Sequence, residues 1–253
     1  MRYPTPRRYR DYLLRPFHRG HCVALDGLSL RIGRGECLAV LGANGAGKTT
    51  LLKLIGGLLY PSQGSVTVNG HDTRTSNLRA RQSVGYVLNE ERSFYWRLTG
   101  IQNLEFFAAM DNLWGQARRQ RIRELLQLVG LERAGQTRVS DYSCGMRQRL
   151  AIARGLLADP EVLILDEPTR ALAPIGAQDM RRLISRKIHA GQGKTLIIAT
   201  HHVGEAEMLC NFACVIDRGR VADHARVEDI KHRSGGVEGF YRSAVTGGER
   251  VPC

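Results

Sequence analysis

Two carboxylates, Asp166 and Glu167, close the run VLILDEPT at Val162 to Thr169. Four apolar residues in succession read as a fully buried strand. Acids where such a strand ends face the edge at which ligands collect in doubly wound sheets. There Asp166 is placed to hold Mg²⁺ through its water shell, and Glu167 to orient and deprotonate a water attacking a phosphoryl group. The counterpart lies upstream. Gly42-Ala43-Asn44-Gly45-Ala46-Gly47-Lys48-Thr49 fits G-x-x-x-x-G-K-[ST] at every position, with apolar CLAVL before it and TTLLKLIGGLL after it. Glycines let the backbone turn its N–H groups inward around phosphates, and the following helix adds the partial positive charge of its N-terminus. Lys48 then reaches the β- and γ-phosphates, the Thr49 hydroxyl ligates Mg²⁺, and Thr50 stands beside it. A third unit, TLIIATHH, puts His201 just past another buried strand, in reach of a γ-phosphate and the attacking water. His202 reads as an exposed neighbour. The chemistry implied is nucleoside triphosphate binding followed by phosphoryl transfer to water.

The elements that must position these residues are legible as alternation. ECLAVL, SVGYVL, VLILD, TLIIAT and CVID read as strands, VALDGLSLRI as further short strands, and VTVNG as a strand with a tight turn. KLIGGLL reads as a helix stopping before Pro61, while IGAQDMRRLISRKIHA and GEAEMLC read as helices. Strands and helices alternating in this way imply an α/β fold with a mostly parallel core sheet. Residues 98–158 differ, because LTGIQNLEFFAAMDNLW and RQRIRELLQLVGL carry apolar residues at helical spacing, so an inserted helical subdomain is expected there. Residues 1–20 form a basic arm with interleaved aromatics, residues 21–222 the nucleotide-binding domain, and 223–253 a loosely ordered tail.

Composition narrows the partners. Lys and Arg number 37 against 24 Asp and Glu, a net charge of +13 that favours phosphates, nucleic acid or an anionic membrane surface. No apolar run reaches the ~18 residues needed to span a bilayer, and the arginine-rich first residues do not form a secretory signal, so an intracellular protein is expected. The six cysteines (22, 37, 144, 210, 214, 253) lack a disulfide framework and read as reduced thiols. Cys210 and Cys214 lie near His201 and His202, but they straddle a helix end and a strand, which disfavours zinc.

GANGAGKTT, YSCGMRQRLAIARGLLADP, VLILDEPT and ATHHVGEAE together, in this order and spacing, resemble the nucleotide-binding subunits of ATP-binding-cassette (ABC) transporters over about residues 20–222. The resemblance implies a P-loop NTPase fold with an antiparallel β subdomain and the helical insertion already noted. It also implies ATP and Mg²⁺ as cofactors and ATP hydrolysis with Glu167, His201 and Lys48 as catalytic residues. Two cassettes then pack head to tail, and Ser143, Gly145 and Met146 of one meet the γ-phosphate held by the other's Lys48. The second cassette is another copy or a homologue. NEERSFYWRLTGIQNLEFF and the YSxGM form look most like bacterial exporter-type cassettes, serving drugs, lipids or polysaccharides through a separate transmembrane permease. The resemblance thus implies peripheral contact with the cytoplasmic face of the membrane, with no nucleic-acid partner.

Several positions depart from the family pattern. Asn89 stands where glutamine contacts Mg²⁺ and nucleotide, and Ala173 replaces an aspartate in the loop after DEPT. Cys144 occupies a position usually held by glycine or a small polar residue. Arg19, with Phe17 and His18 beside it, falls where an aromatic stacks on adenine. Glu91, Phe94, Tyr95 and Trp96 are expected to touch the permease. The alternatives are a soluble cassette ATPase acting on nucleic acid or ribosomes, and an ATP-sensing cassette that does not hydrolyse.

Overall fold

CLAVL, VLILD and TLIIA are apolar on both faces, which only a strand covered by helices on each side can bury. The structure, a computed structural model, describes residues 2–4, 21–87, 94–233 and 235–246. It opens with β1 (Arg2–Pro4), β2 (His21–Val23), β3 (Cys37–Leu41), α1 (Lys48–Ile55), β4 (Thr67–Val68), β5 (His71–Asp72), α2 (Asn77–Gln82) and β6 (Val84–Val87). The helical subdomain follows as α3 (Gly100–Met110), α4 (Gly115–Val129) and α5 (Cys144–Gly155). The chain returns to the sheet with β7 (Val162–Asp166), α6 (Pro174–Arg182), which runs on as a π-helix over Leu183–Ala190, and β8 (Thr195–Ala199). It continues through α7 (Val203–Leu209), β9 (Phe212–Asp217), β10 (Arg220–Arg226), α8 (Val227–Arg233) and α9 (Val237–Thr246).

Among the described residues the main sheet has six strands, in the order β10-β9-β3-β8-β7-β6. Every neighbouring pair runs parallel except β9–β10, an antiparallel edge hairpin. Side chains alternate across it. Ala39, Leu41, Leu163, Leu165 and Ile198 join the helical subdomain in one core, while Leu38, Val40, Ile164 and Ile197 meet α1 in the other. Two small antiparallel pairs, β1–β2 and β4–β5, stand outside this sheet. In the second, Asn69 and Gly70 have φ of 50° and 78°, the left-handed pair that a two-residue hairpin needs. The helical subdomain starts from a capping box: the Gln102 N–H donates to Thr99 Oγ1 at 3.2 Å, and the Thr99 N–H to Gln102 Oε1 at 2.9 Å.

Four expectations need correction. VALDGLSLRI is strand only at Val23; residues 24–34 run irregularly, turning at Gly27 with φ 58°. The helix after the glycine loop does stop before Pro61 but ends already at Ile55 instead of running through KLIGGLL, because Gly56 caps it and Gly57 turns left-handed with φ 65°. The segment expected to be a loose tail is structured through residue 246. β10 extends the sheet, and Val227, Ile230, Val237 and Phe240 of α8 and α9 are buried in the core. Phe94 is buried as well, edge-on to Phe107 with the Arg154 guanidinium 5.1 Å from its ring centre, so it ties the helical subdomain together instead of facing a partner. Among the described residues, no helix is long and apolar enough to cross a membrane.

One close approach fixes α5 to the sheet. A Cβ at Gly85 of β6 would collide with the carbonyl oxygen of Gly155, and one at Gly155 would meet Val87 Cγ2 at 2.8 Å. At Gly85 the strand meets the helix backbone directly, which only glycine allows, while at Gly155 a Cβ would press on the Val87 side chain. Gly85→Ala is expected to cost about 1–3 kcal/mol. In a chain of this size each kcal/mol lowers Tm by roughly 2–4 °C, read by a thermal melt without nucleotide. An unchanged melt would show that α5 is free to shift.

Candidate nucleotide site

The glycine loop bends between β3 and α1. Gly47 has φ 112°, and a Cβ there would meet the Ala24 carbonyl oxygen at 2.7 Å and Leu25 Cδ2 at 2.8 Å, so the turn is open only to glycine. Lys48 is 8% exposed at the start of α1, and its Nζ donates to the carbonyls of Gly42 at 2.6 Å and Ala43 at 3.1 Å. Burial holds its ammonium below the ordinary lysine range, while the charges of Glu167 and Asp166 pull it back up. Among the described residues the loop thus carries a cation hydrogen-bonded to two backbone carbonyls, which a phosphate oxygen would outcompete.

Asp166 ends β7 and Glu167 follows it. Thr49 Oγ1 donates to Asp166 Oδ2 at 3.4 Å, so a hydroxyl and a carboxylate converge as an oxygen pair suited to a hard cation. Burial first, and then the Glu167 charge, raise the Asp166 carboxyl above its ordinary range against the Thr49 bond and the charges of Lys48 and Lys53. Glu167 itself has φ 52°, a left-handed backbone for a side-chain-bearing residue, held by its N–H to the Ala199 carbonyl at 2.8 Å. Its side chain turns to His201, whose Nδ1 lies 2.7 Å from Oε1. With the carboxylate ionised Nδ1 donates and Nε2 is left as the ring's other polar atom. Among the described residues Glu167 Oε2 is buried with no hydrogen-bond partner, a position a water can fill. The His202 ring lies 4.1 Å from that of His201 between centres, tilted by 37°, and the His202 N–H donates to Thr200 Oγ1.

A cavity of about 310 Å³ collects Asn44, Gly45, Gly47, Lys48, Thr49, Thr50, Asp166 and Glu167. Its shape is a phosphate cradle on one side facing two carboxylates on the other. A family model described as ABC transporter matches residues 25–170, which run from before this cradle through the carboxylate pair.

The chain belongs to the ABC transporter family.

It is similar to the Daunorubicin resistance ATP-binding protein DrrA3 of Streptomyces coeruleorubidus, at 39% identity over 213 residues covering 84% of this chain and 66% of that one. It is equally similar to the Nod factor export ATP-binding protein I of Cupriavidus pinatubonensis, at 39% over 216 residues, 83% of this chain and 64% of that one. The chain therefore spans slightly less than two thirds of the length of these curated relatives. Among solved structures, the ATP-binding cassette MJ0796, a dimer in a post-hydrolysis state bound to ADP and Pi, matches with a TM-score of 0.73 and 27% identity. That match covers 83% of this chain and 93% of its own. The P-loop cassette fold, mostly parallel with added antiparallel pairs and an inserted helical subdomain, is that of the ABC family.

Of the other residues singled out by sequence, Gly42 and Ala43 act through the carbonyls that hold Lys48, and Ala46 is buried beneath the loop. Ser143, Gly145 and Met146 do not line the cavity; they form the first turn of α5, where Ser143 Oγ accepts from the Met146 N–H at 3.2 Å. Asn89 and Glu91, like Phe17, His18 and Arg19, lie outside the described residues. Cys144 is partly exposed, whereas Cys37, Cys210 and Cys214 are buried, and burial pushes the Cys214 thiol up to about 12. Sequence reasoning missed Lys53 and Arg170, which line the cavity. Lys53 was legible one turn beyond Thr49 on the same helix; Arg170 depends on how the loop after DEPT folds back.

The raised Asp166 carboxyl gives a sign-definite test. Its proton is held more tightly in the fold than in the unfolded chain, so its contribution to stability is greatest at low pH and is lost as pH rises through its raised range. At pH 7 without metal or nucleotide, Asp166→Asn is expected to melt above the unsubstituted protein, with the gap closing toward pH 4. A lower melt for the asparagine protein at pH 7 would mean the carboxylate pair is not strained.

Proposed function

We propose that this chain hydrolyses MgATP as the motor subunit of an ABC exporter, working as a dimer of cassettes on the cytoplasmic face of a membrane with a separate permease. The observation that carries the reading is the unpartnered, buried Glu167 Oε2 beside His201 and facing Lys48 and Thr49 across one cavity. Lys48 and the N–H groups of the glycine loop would hold the β- and γ-phosphates, and Thr49 with Asp166 would hold Mg²⁺, which would supply positive charge to the phosphates. Glu167 takes the proton of the attacking water, and His201 fixes the Glu167 carboxylate while its Nε2 reaches the γ-phosphate. Asn89 would be a further ligand for Mg²⁺.

The site is half of a pair. Among the described residues, a Cβ at Gly145 would meet only Leu172 Cδ2 at 3.8 Å and Ser143 Oγ at 3.9 Å, ordinary contacts, so none of them requires glycine there. A phosphate arriving from a partner cassette does require it, because it must approach the backbone N–H groups at the helix N-terminus. The solved relative MJ0796 is a dimer. The permease surface is a groove of about 590 Å³ between sheet and helical subdomain, lined by Leu58, Leu78, Phe107, Met110, Leu113 and Arg154. Tyr95 and Trp96 stay exposed near it, packed through Tyr95 on Phe106 at 4.8 Å. The names of the two relatives, drug resistance and Nod factor export, favour an exporter of a drug, lipid or polysaccharide over an ATPase on nucleic acid or ribosomes.

Two experiments test this. Glu167→Gln should trap an ATP-dependent dimer on size exclusion, and the trapped protein captured from solubilised membranes should bring down a multi-helix permease. A monomer in excess MgATP, or a catch made only of ribosomes or DNA, would sink the reading. Gly145→Ala should keep its Tm and its nucleotide affinity yet lose at least about tenfold in turnover. Full activity in that variant would remove the partner's phosphate from Gly145.

A further inference from the structure

Helix α7 buries a carboxylate that the hydrolytic reading leaves unused. Glu205 is 3% exposed; its Oε1 accepts a hydrogen bond from Thr169 Oγ1 at 2.9 Å, and its Oε2 is buried with no partner among the described residues. Thr169 is itself 7% exposed. On the far side Glu205 lies close enough to Cys210 for its charge to help raise that thiol. An apolar residue would fill this place without desolvating a carboxyl group, so packing alone does not account for a glutamate there.

The positions of the two bonded residues do account for it. Thr169 follows Glu167 by two residues, and Glu205 follows His201 by four. The Glu167–His201 contact at 2.7 Å and the Thr169–Glu205 bond at 2.9 Å therefore bridge the same two segments, the turn after β7 and the turn after β8. The main-chain bond from the Glu167 N–H to the Ala199 carbonyl at 2.8 Å joins the two segments at their strand ends, and the Thr169–Glu205 bond, set further along both chains and shielded from water, fixes the relative orientation of the side chains beyond it. α7 is seven residues long; Val203, Ala206 and Leu209 pack on the core, the His202 N–H at its start donates to Thr200 Oγ1 at 3.0 Å, and the Glu207 carboxylate accepts the Val237 N–H of α9 at 2.6 Å, so the Thr169–Glu205 bond is the contact that ties this helix to the turn after β7.

We infer that Glu205 is a positioning residue that, by holding Thr169, locks α7 to the loop after β7 so that the His201 ring is presented to Glu167. The inference rests on the hydrolytic roles proposed above for Glu167 and His201. Glu205 does not line the cavity that would take the phosphates; it acts through His201.

The test uses the full chain. Glu205→Ala and Thr169→Val should each lower kcat by roughly 10- to 100-fold, the scale of a small misplacement at a reacting centre. Affinity for ATP, from titration with a fluorescent analogue, should stay within about twofold, since binding in ground and transition states is then separated. Glu205→Gln keeps the acceptor oxygen and the volume, and Thr169→Ser keeps the hydroxyl. Both should retain most of the rate, and the glutamine protein also covers failure of the alanine protein to fold. In a His201→Ala background, Glu205→Ala should cause no further loss; effects that multiply would overturn the inference. The ¹⁵N resonances of the His201 ring, read in nucleotide-free protein, should move in Glu205→Ala and Thr169→Val and return in Thr169→Ser. An unmoved ring signal would also overturn it. If the unsubstituted chain shows no ATP turnover, the hydrolytic reading falls, and the ring signal alone decides the role of Glu205.

Discussion

Two acidic side chains stand next to each other at the end of a buried strand, and the site is arranged around the charge they crowd together. β7 delivers Asp166 and Glu167 to the carboxyl edge of the sheet with no residue between them. Burial first, and then the neighbouring Glu167 charge, raise the cost of ionising Asp166. What offsets this is cationic and local: Lys48 across the cavity, stabilised as an ammonium by the same two carboxylates, with Lys53 and Arg170 lining its walls. The mutual dependence of lysine and acids explains why the glycine loop and the DE pair must be brought together by the sheet.

The sheet does this through parallel order. β3, which feeds the glycine loop, is separated from β7 by β8, which feeds His201. Three strand ends at one edge therefore present the lysine, the histidine and the carboxylates side by side. Glu167 turns back toward His201 only because its backbone enters the left-handed region at φ 52°, a conformation costing about 1–3 kcal/mol for a residue with a side chain. The main-chain bond to Ala199 and the paired bridges to the β8 turn hold that strain in place. A straighter backbone at residue 167 would direct the carboxylate away from the histidine.

How much of this was legible in the sequence depended on how local each determinant is. The glycine loop, the two apolar-then-acidic or apolar-then-histidine strands, and the helical insertion are written in contiguous residues, so they could be read directly. VALDGLSLRI carries strand-like alternation, but Gly27 at φ 58° breaks it, and the pairing partner that would have made it a strand is not present among the described residues. Phe94 looked exposed because charged neighbours surround it in sequence; its burial comes from Phe107 and Arg154, which are distant along the chain. α8 and α9 were hidden by their shortness and by Gly235 and Gly236 between them, although Val227 and Ile230 keep helical spacing. Glu205 was invisible for the clearest reason. Its value is set by a threonine 36 residues earlier, and nothing in GEAEML distinguishes it from a solvated acid.

The proposed partnership between cassettes also turns on what a serine can do twice. Ser143 already serves its own helix, accepting the Met146 N–H and so satisfying one of the free donors of the first turn of α5. A contact to a partner's phosphate would seem to compete with that duty. It does not, because a hydroxyl has two acceptor lone pairs and one proton. Capping occupies a lone pair, and the proton is still available to an anion arriving from outside the chain. The N–H groups of Cys144 and Gly145 lie ahead of the first intrahelical bond and point the same way, adding to the helix's positive end. A phosphate would thus find three donors preset without any of them leaving a bond. The cap holds the turn in shape before a partner arrives, so forming the interface need not first disorder the helix that supplies half of it.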